Sequence, residues 1–139
     1  MGEAARDLAS KSGDSEKITI NLGYVDLGRV DLMVQDGFYA NRTDFIRTAI
    51  RDQIQRHSDA VSRSVSSKNL DLGLRHLSRE ELESVKAAGG ALHIRVLGLV
   101  RIAEDVSPEL ALATIASVRV LGALHANPAV KAALSGRIA

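Results

Sequence analysis

Apolar and polar residues alternate strictly over residues 17–22, near the start of the chain. Successive side chains of a strand point to opposite faces, so the alternation predicts a short strand with one apolar and one polar face. The apolar positions are Ile18, Ile20 and Leu22. The polar positions are Lys17, Thr19 and Asn21. Residues 1–15 are mainly small and polar, and they predict a flexible arm ahead of the strand.

The spacing of apolar residues then becomes helical in two consecutive segments. The first, about residues 25–36, ends before Gly37, a residue type that is common at helix C-termini. The second runs to about residue 57 and begins at Asn41, a predicted N-cap with Asp44 as its capping-box partner. The apolar stripe of the first helix consists of Leu27, Val30, Met33 and Val34. The stripe of the second consists of Phe45, Ile46, Ala49, Ile50 and Ile54.

The remainder of the chain is built on a repeated pattern. Residues 58–69 are rich in serine and predict a linker. Beyond it, three similar tripeptides follow one another at spacings of 25 and 24 residues. They are Leu72-Gly73-Leu74, Leu97-Gly98-Leu99 and Leu121-Gly122-Ala123. Such a period predicts about three copies of a strand–turn–helix unit over residues 70–139, stacked like a small solenoid.

Each of these tripeptides is followed by a sequence signal for the start of a helix. Ser78 precedes a glutamate by three residues, which is a capping box. Ser107 and Asn127 each directly precede a proline, the pattern of an N-cap with proline at the first helical position. The predicted fold class is therefore α+β, with an N-terminal strand–helix–helix module and a C-terminal domain of strand–turn–helix repeats.

The order strand, helix, turn, helix over residues 16–57 resembles the ribbon-helix-helix family of DNA-binding proteins, of the CopG, Arc and MetJ type. The most specific part is the run Asn41-Arg42-Thr43-Asp44-Phe45-Ile46-Arg47, because members of this family commonly open their second helix in this way. The resemblance implies an obligate homodimer in which strands from two chains pair antiparallel. A single short strand has two unpaired edges and is not stable alone, which agrees with this expectation.

The resemblance also assigns roles to individual residues. A two-stranded ribbon fits the major groove of double-stranded DNA, where its outward side chains reach base edges. The implied base contacts are Lys17, Thr19 and Asn21. The implied phosphate contacts, at the N-terminus of the second helix, are Asn41, Arg42 and Thr43. The implied dimer core consists of Ile18, Ile20, Leu22, Phe45, Ile46 and Ile50.

Charge and composition restrict this picture. The net charge is only +1, and residues 1–56 carry 8 basic and 9 acidic side chains. A DNA-binding surface must therefore come from the local placement of charge and not from its sum. Hydrophobic residues make up 45% of the chain and aromatic residues only 3%, so we expect an aliphatic core.

Several kinds of site and segment are not expected. The chain has no cysteine, which excludes disulfides and thiolate metal sites. The four histidines are far apart in sequence, so we predict no metal site and no cofactor. They are His57, His76, His93 and His125. We expect neither a signal peptide nor a membrane span, and no combination of residues indicates an enzyme.

Three functions fit the sequence. The first is a dimeric, sequence-specific transcriptional regulator that acts as a repressor. Its residues 70–139 would form higher homo-oligomers. Such a protein would be cytoplasmic and associated with the nucleoid. The second is an antitoxin, although residues 70–139 are more apolar than the short disordered tails that neutralise toxins. The third is a self-assembling scaffold that is tethered to DNA. The sequence does not identify the operator, the regulated genes or an effector.

Overall fold

The computed structural model describes residues 15–139, which contain six helices and three strands. The fold mixes helices and a sheet, as the sequence predicts. Apart from Ser15, the arm predicted over residues 1–15 lies outside the described residues. The chain divides into two compact units, with the boundary between Asp59 and Ala60.

The N-terminal unit contains two helices, α1 (Tyr24–Gln35) and α2 (Arg42–Arg56). In α1, Val30 is buried and the other three residues of the predicted stripe are half-buried, which confirms the helical spacing. Gly37 follows the helix with a left-handed φ of 85°. Its N–H donates to the carbonyl of Val34, and the next N–H, of Phe38, donates to that of Met33. This hydrogen-bond pattern is a Schellman motif and confirms the predicted end of the helix.

Residues 15–23 form neither a helix nor a strand within the single chain. Ile18, Ile20 and Leu22 are 71%, 55% and 42% exposed. A strand forms only when a second backbone satisfies its hydrogen-bonding groups, and no described residue pairs with this segment. The strand over residues 17–22 therefore remains a prediction that depends on a second chain.

Residues 58–69, expected to form a linker, contain the helix α3 (Ser58–Ser67). No glycine or proline interrupts this segment, and Asp59 lies in the first turn, where a negative charge favours a helix. Serine is only moderately unfavourable in a helix, at roughly 0.5 kcal/mol relative to alanine. A serine-rich composition therefore did not prevent helix formation here.

The C-terminal unit is built on three parallel strands in the order β1-β2-β3. The strands are β1 (Asp71–Leu77), β2 (Leu92–Ile102) and β3 (Ile115–His125). The helices that follow them are α4 (Arg79–Ala87), α5 (Pro108–Thr114) and α6 (Pro128–Leu134). A 3₁₀ turn, Ser135–Arg137, comes after α6.

The three predicted helix starts of this unit are confirmed. The Ser78 hydroxyl accepts the backbone N–H of Glu81 at 3.1 Å, and the Ser107 hydroxyl accepts that of Leu110, also at 3.1 Å. The Asn127 side chain accepts the N–H of Val130 at 2.8 Å. Local sequence signals thus define where each repeat turns from strand to helix.

The core of the C-terminal unit is mainly aliphatic, as the low aromatic content predicts, and the buried Thr114 hydroxyl donates to the carbonyl of Leu110 at 2.7 Å. Alternate residues of β2 are buried, together with residues from all three helices. The buried positions of β2 are Ile94, Val96, Val100 and Ile102. The helices contribute Leu82, Leu110, Ala111, Val130 and Leu134.

A column of glycines aligns the three strands. Gly73 pairs with Gly98 and Gly98 with Gly122, so the spacings of 25 and 24 residues bring equivalent positions into register. All three adopt a positive φ, of 118°, 140° and 124°. A Cβ at Gly98 would collide with the carbonyl oxygen of Gly73, and a Cβ at Gly122 with that of Gly98. The close approach of the strands therefore requires glycine at these two positions.

We expect Gly98→Ala to destabilise the chain by at least about 2 kcal/mol, because it combines a backbone collision with a conformation unfavourable for L-residues. Gly136→Ala is the matched control, since that glycine has open space around it. The control should change stability by less than about 0.5 kcal/mol. Urea denaturation of the full chain measures both values. Equal stability of the two variants would contradict the requirement for glycine in the column.

Candidate nucleic-acid interface

The side chains expected to contact bases lie in the segment that precedes α1. Lys17, Thr19 and Asn21 are all exposed. No hydrogen bond or ion pair within residues 15–139 engages them. Their amine, hydroxyl and amide groups are chemically suited to base edges, and the alternation places them opposite the apolar positions of the same segment. Their role in reading DNA remains a prediction.

The side chains expected to contact phosphate lie together at the start of α2. Asn41 is the N-cap, and its side-chain oxygen accepts the N–H of Asp44 at 2.8 Å. The Asp44 carboxylate in turn accepts the N–H of Ala40 at 2.9 Å. This confirms Asn41 as the cap, whereas the Asp44 carboxylate bonds the residue before the cap and so differs from the predicted capping box. The Asn41 side-chain oxygen is thus used within the protein, which leaves its amide N–H groups for a phosphate.

Arg42 makes an ion pair that the sequence analysis did not anticipate. Its Nε and Nη2 donate to the two carboxylate oxygens of Asp31 on α1, at 2.7 and 2.8 Å. These hydrogen bonds lower the pKa of Asp31 and raise the pKa of Arg42. The bidentate geometry fixes the plane of the guanidinium and joins the two helices. The N–H groups of Nη1 take no part in the pair.

Thr43, the third expected phosphate contact, is exposed in the first turn of α2. Behind this turn, the rings of Tyr39 and Phe45 meet edge to face, with centroids 5.0 Å apart. Phe45 and Ile46 are half-buried, whereas Ile50 is 44% exposed. The aromatic contact holds the turn between the helices against α2. The exposure of Ile50 resembles that of the apolar residues in the segment before α1, which are also expected in the dimer core.

The C-terminal unit brings together side chains that are distant in sequence. His76, Arg101 and His125 occupy one register row across β1, β2 and β3. A ring nitrogen of His93 lies 2.8 Å from the hydroxyl of Ser117. In the described part of the chain, no group of three or more His, Cys, Asp or Glu residues is arranged to hold a metal ion. Within residues 15–139, no helix is long and apolar enough to cross a membrane.

The N-terminal unit is thus a helix pair with a capped second helix, preceded by an alternating segment with an exposed apolar face. A comparison with protein-family models identifies the Ribbon-Helix-Helix transcriptional regulator family over residues 13–131. The chain belongs to this family. Searches of curated proteins and of solved structures found no match.

Family membership establishes the class of function and confirms the resemblance seen in the sequence. The chain belongs with DNA-binding transcriptional regulators, which usually dimerise and typically have no enzymatic activity. The matched region extends to residue 131 and so includes most of the C-terminal unit. The sequence resemblance covered only residues 16–57. The match to the family therefore includes residues of both units.

The residue that the sequence analysis missed at this site is Asp31. It lies 11 positions before Arg42, on a different helix, so no local spacing rule connects the two. The available signal was weak: an aspartate on the polar side of the first predicted helix, near an arginine in the first turn of the next. Only the packing of α1 against α2 brings the two side chains together.

The Asp31–Arg42 pair predicts a specific pH dependence of stability. Because folding lowers the pKa of Asp31, the pair stabilises the folded chain above the ordinary carboxyl value of 3.8. That contribution is lost as the pH falls through the lowered value. Asp31→Asn should therefore reduce the thermal midpoint at neutral pH and make its decline in acid shallower. The effect should be small and sensitive to salt, because both side chains are exposed.

Thermal unfolding of the full chain at neutral and acidic pH, at low and high salt, measures this effect. Asp52→Asn is the matched control, since Asp52 is an exposed carboxylate of α2 with no ion pair in the described structure. Identical pH profiles for Asp31→Asn and Asp52→Asn would indicate that the ion pair does not stabilise the N-terminal unit in solution.

Proposed function

We propose that the protein is a dimeric, sequence-specific repressor of transcription. Strands from two chains form an antiparallel ribbon over residues 17–22, and this ribbon enters the major groove. The observation that carries the proposal is the segment before α1. It presents an exposed apolar face and an opposite polar face, yet it has no partner within the described chain. A ribbon bound at a promoter would exclude the transcription machinery.

The dimer buries what a single chain exposes. Pairing two copies of the segment satisfies both backbones along one edge and brings Ile18, Ile20 and Leu22 of each chain to a shared core. Residues of α2, among them Phe45, Ile46 and Ile50, complete this core. The polar set of the two strands then forms the outer face of the ribbon. Lys17 can donate to guanine, Asn21 can pair with adenine, and Thr19 can contact either a polar base edge or a thymine methyl.

The start of α2 positions the ribbon on the DNA backbone. The free N–H groups of a helix N-terminus attract phosphate, and Thr43 adds a hydroxyl. Arg42 is held by Asp31 with its Nη1 unengaged. An oriented guanidinium can donate to a phosphate without first losing much side-chain freedom. In this proposal Asn41, Arg42 and Thr43 set affinity, whereas the ribbon sets sequence preference.

The C-terminal unit has an assembly role in this proposal. Residues 70–139 form a solenoid-like stack of three strand–turn–helix units, and such stacks expose sheet edges that can pair with other copies. A folded unit with a capped helix after each strand differs from the disordered tail of an antitoxin. The proposal divides the chain into DNA binding over residues 16–57 and assembly over residues 70–139. It implies a cytoplasmic, nucleoid-associated protein.

Replacement of the ribbon residues should reduce discrimination between DNA sequences. Genome-wide recovery of bound fragments first provides a specific site. Lys17→Ala, Thr19→Ala and Asn21→Ala should each weaken binding to that site by about 1–3 kcal/mol for a good base contact, and weaken binding to random DNA less. Arg42→Gln should weaken binding to both DNAs and reduce the salt dependence. Titrations at two salt concentrations measure these differences.

The matched control for charge is Arg63→Gln, a removal of one positive charge on α3, outside the proposed interface. It should leave the preference for the specific site unchanged. If every ribbon variant lost the same affinity for both DNAs, the ribbon would not read bases. The proposed roles of Lys17, Thr19 and Asn21 would then be wrong.

A charge in the shared core of the ribbon should abolish the N-terminal dimer. Ile20→Asp would place an unpaired carboxylate between two chains and should remove DNA binding. Thr19→Asp is the matched control, because it adds the same charge on the opposite face of the same segment. Sedimentation of both variants over a concentration range, with circular dichroism, measures assembly and helix content. A wild-type chain that is monomeric at every concentration would contradict the ribbon dimer.

A further inference from the structure

The two outer strands of the C-terminal sheet differ in how open their edges are. Along β3, Ile138 forms a parallel bridge with Val118, and the N–H of Ala139 donates to the carbonyl of Val118 at 2.9 Å. Arg137 anchors this segment through hydrogen bonds to the carbonyls of Leu112 and Ile115. The edge of β3 is therefore partly occupied by the chain itself. The outer edge of β1 pairs with no strand of the described chain.

Gly73, in the middle of β1, leaves room for another backbone. Its φ of 118° matches the left-handed conformation of Gly98 and Gly122. At those two glycines the position of a Cβ is filled by the carbonyl of the preceding strand, but at Gly73 nothing lies within 4 Å of it. Glycine within a strand commonly marks a place where a second backbone comes close. The shape of β1 thus fits a strand at its outer edge.

The side chains of β1 indicate which strand would bind at its outer edge. The sequence Asp71-Leu72-Gly73-Leu74-Arg75 is complementary to itself when it is read in the opposite direction. About a centre at Gly73, Asp71 of one copy lies opposite Arg75 of the other, and Leu72 lies opposite Leu74. Leu72 and Leu74 are 74% and 63% exposed. Asp71 is also exposed and makes no ion pair in the described chain.

We propose that β1 is a homotypic docking edge, which pairs antiparallel with β1 of a second copy about a two-fold axis at Gly73. Opposite charges then meet on one face of the joined sheet and leucines on the other, both of which are favourable cross-strand pairs. The contact closes upon itself, as two-fold interfaces do, and joins two three-stranded sheets into one. Arg75 forms an ion pair with Glu81 at 2.5 Å, and its guanidinium has further N–H groups that can bond Asp71 of the second copy.

The charges of β1 disfavour the other way of extending the sheet. A head-to-tail stack would place β3 of a second copy beside β1, with Gly122 next to Gly73 by continuation of the register. Asp71 would then face Val120, and Arg75 would face Leu124. In that arrangement Asp71 would have no ionic partner, which is unfavourable, whereas Arg75 would keep only its ion pair with Glu81. The antiparallel pairing of β1 with itself supplies an ionic partner for Asp71.

This proposal refines the assembly role given to residues 70–139 above. Two chains joined by the ribbon would hold their C-terminal units at a high effective concentration, so that a modest edge contact is sufficient. The pairing can form within one dimer or between neighbouring dimers on DNA. In either case the contact is the same and involves the same residues.

Cysteine cross-linking of the full chain tests the pairing, because the natural sequence contains no cysteine. Directly opposite residues of an antiparallel pair have Cα atoms about 4.5–5.5 Å apart, within disulfide reach. The double variant Leu72→Cys/Leu74→Cys should therefore convert most of the chain to a covalent dimer under copper-phenanthroline oxidation. Each single variant should yield little, since residue 72 lies diagonally from its own copy, at about 7–8 Å. Circular dichroism checks that the variants fold.

Two further variants distinguish the alternatives. Leu121→Cys/Ala123→Cys is the matched control, with the same spacing on the same two register rows at the opposite edge of the sheet. It should not cross-link. Leu72→Cys/Leu121→Cys would give a ladder of multimers only if copies stack head to tail. Adding Asp71→Arg to the Leu72→Cys/Leu74→Cys chain should sharply reduce its cross-linking, since two arginines would then oppose each other.

No cross-link in the Leu72→Cys/Leu74→Cys chain, or a ladder from Leu72→Cys/Leu121→Cys, would overturn the pairing of β1. Sedimentation and DNA titration of the same unoxidised chain separate this result from the proposed function. A dimer that binds DNA but does not cross-link leaves the ribbon intact and overturns only the docking edge. A chain that is monomeric and does not cross-link overturns both proposals.

Discussion

The unpaired strand-like segment ahead of α1 is the constraint on which the N-terminal unit depends. Residues 17–22 alternate as a strand does, yet no described residue pairs with them, and their apolar side chains are exposed. Unpaired strand edges and an apolar face of this size are unfavourable in water. A second chain removes both penalties at once. Dimerisation in this family therefore follows from the same feature that would create the DNA-reading ribbon, and recognition and assembly cannot be separated there.

Close approach of backbones governs the C-terminal unit in a similar way. The repeat spacing differs by one residue between the first and second intervals, yet the glycines remain aligned. The connections between the strands differ in length, because residues 78–91 join β1 to β2 and residues 103–114 join β2 to β3. The glycine column thus fixes the register, whereas the connecting turns and helices vary in length. Aliphatic side chains on both sides of the column then fill the core between sheet and helices.

The sequence predicted best what depends on neighbouring residues. The caps at Asn41, Ser78 and Ser107 and the helix end at Gly37 are local, and each was placed correctly. Composition was a poorer guide, because the serine-rich segment contains a helix. The Asp31–Arg42 pair depends on the packing of two helices, and the glycine collisions depend on three strands in register. The base contacts depend on a partner chain and on DNA, so for these the sequence supplies only predictions.

The nearly balanced charge of the N-terminal unit suggests a reason for the C-terminal unit. Residues 1–56 carry 8 basic and 9 acidic side chains, and Asp31 offsets the charge of Arg42. Non-specific affinity for DNA rises with the number of phosphates that a protein neutralises, and a nearly balanced net charge works against it. Joining dimers multiplies weak contacts into tight binding without new contacts to DNA. The assembly proposed for residues 70–139 would in this way compensate for a recognition module whose charge is nearly balanced.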